Sequence, residues 1–146
     1  MTAWGYRLMH LANLSVGFTG VVYAWMLYGM TPSPEGYSVV NHPWQSHVQH
    51  AHVLVAPLLI FAIGSFWWGH ALTYRQRGIR EGRRTGIMMI YTATPMILSG
   101  YALQTSVSEG WRNVWVVVHV TASLLWLGCF TGHWLVHRLQ PASSTR

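Results

Sequence analysis

The stretch Asn113–His137, NVWVVVHVTASLLWLGCFTGHWLVH, decides how this chain is built. It contains no Asp, Glu, Lys or Arg, and it exceeds the roughly 20 residues needed to cross a hydrocarbon core of about 30 Å. Lipid offers no partners to backbone N–H and C=O groups, so a lone apolar run of this length has to be a helix. Within it His119 and His133 stand fourteen residues apart. At about 100° per residue, fourteen steps leave a residual of only about 40°, so both rings leave one side of the helix, roughly 21 Å apart along its axis. Ionisable side chains at such depths mark function by default.

Three further stretches have the same character, about Leu8–Met30, Val48–Leu72 and Gly86–Val107, and none of them carries a formal charge. The 146 residues are 51% hydrophobic and 8% charged, against about 25% charged in ordinary soluble domains. The expected fold is all-α: four transmembrane helices in an up-down-up-down bundle, one membrane-embedded domain over 1–146. Arg7 ahead of the first apolar run resembles a signal peptide, but the run is too long for an h-region and lacks a small-residue exit, so it is expected to be retained.

The formal charge of +6 comes from nine Arg and no Lys. Five of them, Arg75, Arg77, Arg80, Arg83 and Arg84, crowd the connection between the second and third stretches. That crowding is the pattern of a short cytoplasmic loop rather than of nucleic-acid binding. The first connection carries Glu35 without Lys or Arg, and Arg7 and Arg138 flank the outer ends of the first and fourth stretches. Both termini are therefore expected in the cytoplasm, as in a multi-pass protein of the bacterial inner membrane. Trp4, Trp44, Trp67, Trp68, Trp111 and Trp134 fall near boundaries, as interfacial anchors do. Pro57 and Pro95 lie inside helices and are expected to bend them locally.

This topology sorts the nine histidines by depth. His42, His47, His50, His52 and His119 lie towards the outside; His10, His70, His133 and His137 lie towards the cytoplasm. Two ligand positions at opposite ends of one helix suggest two stacked cofactors, and a haem b takes two axial imidazoles from facing helices. For the outer pair His52 is preferred to His50, because Ala56 leaves a gap on its face and His50 points about 160° away. For the inner pair, His133 meets either His10 or His70. His10 shares a stripe with Gly17 and Ala24, with Gly20 close by, although small residues also serve plain helix packing. His70 shares a face with His52, eighteen residues being five turns, and could pair with His133 or His137. The single Cys129 is read as a packing residue, and without a C-x-x-C-H motif any haem is non-covalent. His42, His47, His50 and His52 present no single coordinating face for an external metal.

The pattern resembles the bacterial four-helix di-haem b cytochromes, namely cytochrome b561 and the b-type subunits of nickel-iron hydrogenases and formate dehydrogenases. The residues that carry the resemblance are His10 in Arg7-Leu-Met-His10, His52 in His52-Val-Leu-Val-Ala56, the pair His119 and His133, the run Pro95-Met-Ile-Leu-Ser99-Gly100, and Trp68-Gly69. It implies two haem b groups held by His10, His52, His119 and His133. The chain departs from the family in having Phe66 or nearby apolar residues where an Arg is usual, and in carrying His70. The implied function is electron transfer across the bilayer between the quinone pool and an external redox protein or catalytic subunit, within a hetero-oligomeric complex. The chain would then be an electron-transfer subunit rather than a stand-alone enzyme, with no catalytic residue of its own. His70, His137, Tyr74 and Gln49 are each able to hydrogen-bond a quinone. Two other classes fit the composition: a membrane protein that binds or transports metal through its external histidines, and a cofactor-free assembly subunit.

Overall fold

The computed structural model describes residues 3–31, 41–78 and 82–139, apart from the side chains of Trp68, His137 and Leu139. The described residues are helical throughout, with short turns. Helix α1 spans Ala3–Tyr28 and α2 spans Gln45–Phe66, followed by a π-helical turn, Trp67–Leu72, and the short α3, Thr73–Gln76. Then come α4, Arg83–Thr105, and α5, Glu109–Leu139. Four of these segments are long and apolar enough to cross a membrane, and only 11–17% of each apolar window is buried within the protein. Leu14, Phe18, Leu54, Tyr91, Val117 and Leu124 stand out from the helices, Leu54 at 78% exposure. So much large apolar surface is a liability in water and the normal condition in lipid. The chain is a multi-pass, all-helical membrane protein.

The helices begin earlier than the apolar runs do. Arg83 and Arg84 open α4, and Glu109 and Arg112 lie in the first turns of α5. A helix is set by its backbone ladder, so it continues past the point where hydropathy falls; Glu109 also suits the positive end of the macrodipole. Gly82 precedes α4 at φ 66, a left-handed conformation that glycine adopts without a Cβ penalty. Helices α2 and α4 run continuously through Pro57 and Pro95.

One expectation changes. The second stretch is not a single α-helix to Leu72, because Trp67–Leu72 winds as a π turn. A π turn takes an extra residue per revolution, so every side chain after Phe66 is rotated relative to an α-helical projection. His70 therefore loses the shared face with His52 that the five-turn spacing predicts. Gly69, within the turn, would meet no neighbouring atom if it carried a Cβ.

The chain divides into two compact units, Met1–Thr73 and Tyr74–Arg146, and each is an antiparallel helical hairpin. In the first, α1 packs on α2 through Met9, Ala12, Asn13 and Met26 on one side and Leu59 and Ala62 on the other. Asn41 ties the hairpin ends: its Nδ2 donates to the carbonyls of Met26 (3.2 Å) and Leu27 (2.9 Å), which near a helix C-terminus lack α-helical donors. In the second, α4 packs on α5 through Ala93, Met96 and Ser99 against Ala122 and Trp126. Ala12, Ala62, Ala93, Ser99 and Ala122 let the backbones come close, which helix association in lipid depends on. The connection containing Glu35, the residues around Arg80, and the chain from Gln140 onward lie outside the described residues.

Candidate metal-ligating histidine sites

Three histidines sit against the facing helix of their own hairpin in the same way. His133 on α5 places Nδ1 2.9 Å from Thr85 Oγ1 on α4. His119 places Nδ1 3.2 Å from Ser99 Oγ and 3.0 Å from the Met96 carbonyl. His52 on α2 places Nδ1 3.1 Å from Thr19 Oγ1 on α1. Thr85 and Ser99 are fourteen residues apart, as are His133 and His119, so one antiparallel register of α4 on α5 satisfies both contacts. Between the two rings, buried Ala122 and Trp126 hold the helices at a fixed separation.

Each of these hydroxyl residues is followed by glycine. A Cβ on Gly20 would lie 2.9 Å from His52 Cε1, one on Gly100 would lie 3.2 Å from His119 Cε1, and one on Gly86 would lie 3.9 Å from His133 Cε1. The first is closer than real Cβ contacts come, the second is tight, and the third is ordinary van der Waals contact. At Gly20 and Gly100, the absent side chain is what lets the ring approach the facing backbone.

The remaining histidines differ. His10 stacks on Tyr6, one turn earlier in α1, at 4.2 Å between ring centroids with a tilt of 56°. It lies nine residues before Thr19, so it stands roughly 13 Å along the helix axis from the level of His52. Gly20, which the small-residue stripe would give to His10, is occupied by His52. His70 lies in the π turn with its ring edge-on to Phe66 at 6.1 Å. His50 is exposed, in keeping with its turn away from His52. His42 Nδ1 accepts the Trp44 N–H at 3.1 Å, and His47 lies edge-on to Trp44 at 6.1 Å. These two therefore help shape the start of α2. The His137 side chain lies outside the described residues, and the quinone candidates Tyr74 and Gln49 are half-buried.

Among the described residues no three His, Cys, Asp or Glu side chains converge on one point, so a polydentate protein cage for a bare ion is not formed there. A ligating histidine instead needs its ring fixed from behind by a bond to the other nitrogen, and His52, His119 and His133 each have such a bond at Nδ1. Imidazoles held one at a time fit an axial ligand to haem iron, where the macrocycle supplies the other four donors. The hydroxyl-glycine pairs Thr19-Gly20, Thr85-Gly86 and Ser99-Gly100 are a signal the sequence reading misses: the last two, both on α4, stand fourteen residues apart and match the histidine spacing of α5.

Comparison of the chain with known protein families, curated proteins and solved structures finds no match.

Proposed function

We propose that this chain is a di-haem b-type cytochrome of the bacterial cytoplasmic membrane, carrying electrons between the quinone pool and an external redox partner as one subunit of a larger complex. The observation that carries the reading is the matched spacing on α4 and α5: two histidines and two hydroxyls, each pair fourteen residues apart, meeting at 2.9 and 3.2 Å. Plain packing needs no imidazole at both ends of a membrane helix, and an ionisable group at such depth is costly unless it serves a function. His52 with Thr19 repeats the arrangement on the other hairpin. His10, His52, His119 and His133 would be the four ligands.

When bound, the haems would supply one-electron transfer. The chain's own work is to orient. Thr19, Ser99 and Thr85 fix three rings, Gly20 and Gly100 give two of them room, and the apolar helix faces exclude water. The π turn rotates His70 off the His52 face; of the two inner-ligand candidates we take His10, and His70 is kept as a candidate quinone contact. Trp4 and Trp111, both more than 60% exposed, suit the interfacial positions that anchor such a bundle.

The test is haem analysis of purified full-length protein. Pyridine haemochrome is expected to give close to two haem b per chain, and quinol is expected to reduce them. Protein with copper or zinc and no haem bands would mean a metal-binding protein; protein with neither would mean an assembly subunit. Haem that quinol leaves oxidised would remove the quinone half of the proposal. For the inner ligand, His10→Ala is expected to lose one haem and His70→Ala none, measured by the same assay.

A further inference from the structure

We infer that Thr19, Thr85 and Ser99 are positioning residues that keep the proton of His52, His133 and His119 on Nδ1, so that Nε2 carries the lone pair each ring would offer to a metal. The assignment follows from counting hydrogens. A hydroxyl has one to give. Thr85 donates to the Gly82 carbonyl at 2.9 Å and Thr19 to the Ser15 carbonyl at 2.8 Å, so towards Nδ1 each oxygen accepts. Ser99 is fully buried and shares its one hydrogen between the carbonyls of Pro95 and Met96, so towards Nδ1 its oxygen also accepts. His119 decides its own case independently, because the Met96 carbonyl at 3.0 Å can only accept, and Nδ1 must donate.

The opposite tautomer would turn each hydroxyl round to donate to Nδ1. At Thr19 and Thr85 that makes one hydrogen bond where the present arrangement makes two. Such a loss is felt most where no water can replace the bond. The following glycine completes the device at Gly20 and Gly100: the hydroxyl takes Nδ1, the missing Cβ admits Cε1, and the lone-pair nitrogen is the next atom round the ring. That a hydroxyl-glycine dipeptide, Thr19-Gly20, Thr85-Gly86 and Ser99-Gly100, recurs at three rings on two hairpins is unlike incidental packing.

Only the metal-ligating role of Nε2 rests on the cytochrome proposal; the tautomer does not. A donor bond from Nδ1–H makes Nε2 more basic and favours the oxidised form of a bound metal. The experiment uses full-length protein in nanodiscs, with 15N-labelled histidine. Without haem, three rings are expected to show protonated Nδ1 and lone-pair Nε2, in about tenfold excess over the other tautomer, the ratio that one net hydrogen bond sets. Thr19→Val, Thr85→Val and Ser99→Ala are each expected to change one ring's signals, His119 least because Met96 still accepts. Thr19→Ser and Thr85→Ser should restore the parent spectrum, which a packing role for the threonine methyl would not allow. In haem-loaded protein, Thr85→Val should raise the midpoint potential of one haem and Thr85→Ser should return it. Lone-pair signals at Nδ1 in the parent, or valine variants with unchanged spectra, would overturn the inference. The expected tautomers in a protein that takes up no haem would uphold it while the cytochrome reading fell.

Discussion

His119→Ala and His133→Ala are each expected to lower haem content from two per chain to one, and the double variant to none, with the helices intact. The selectivity has a structural reason. When the His133 ring is deleted, Thr85 still donates to the Gly82 carbonyl; when the His119 ring is deleted, Ser99 still donates to Pro95 and Met96. Neither change strands a buried donor, the defect that makes polar truncations costly, at about 1–3 kcal/mol each. The folding cost is therefore expected to be small and the cofactor cost large, since a non-covalent haem depends on its axial imidazoles. The measurements are pyridine haemochrome for stoichiometry and circular dichroism for helix content. Two haems surviving in either variant would mean that α5 does not supply one ligand to each. Loss of both from a single variant would mean one site, or sites that fold only together.

Much of this arrangement is legible in the sequence, and what is not has identifiable physical causes. The four spans follow from uncharged length alone, because in lipid the helix is forced. The common face of His119 and His133 follows from helical period. The register between helices does not follow, since neither partner's sequence contains it. Gly20 illustrates this: on α1 it reads as part of a small stripe beside His10, yet the packing of α2 brings the His52 ring onto it. Thr85 looks like an ordinary first-turn residue until the α4–α5 register sets it opposite His133. The π turn at Trp67–Leu72 is hidden for another reason. Its residues are as apolar as those of a regular helix, and hydropathy cannot distinguish one winding from the other. That concealed turn is why the five-turn spacing of His52 and His70 overstates their common face.

The three glycines beside the rings make a graded series, and Gly20→Ala is expected to have the largest effect. Two contributions oppose each other. Alanine in place of glycine in a helix interior gains about 1 kcal/mol of backbone preference. Against this stands the contact of the new methyl: 2.9 Å to His52 Cε1 at Gly20, 3.2 Å to His119 Cε1 at Gly100 and 3.9 Å to His133 Cε1 at Gly86. Carbon pairs prefer about 3.5–4.0 Å, so the first has to move the ring by more than half an ångström, the second by a few tenths, and the third not at all. Moving His52 stretches its bond to Thr19, now 3.1 Å, a bond with a net value of about 0.5–1.5 kcal/mol. The backbone gain and the lost bond nearly cancel, so thermal stability of Gly20→Ala should stay close to that of the parent. Ligand placement does not cancel, because a site tolerates only about 0.5 Å of error. Gly20→Ala is therefore expected to weaken haem binding at least about tenfold, or about 1.4 kcal/mol, Gly100→Ala to weaken it less, and Gly86→Ala to leave binding unchanged while raising stability by up to about 1 kcal/mol. Haem titration of the three variants beside thermal melts separates the two quantities. Equal behaviour at Gly20 and Gly86 would show that ring approach to the facing backbone has no part in holding the cofactor.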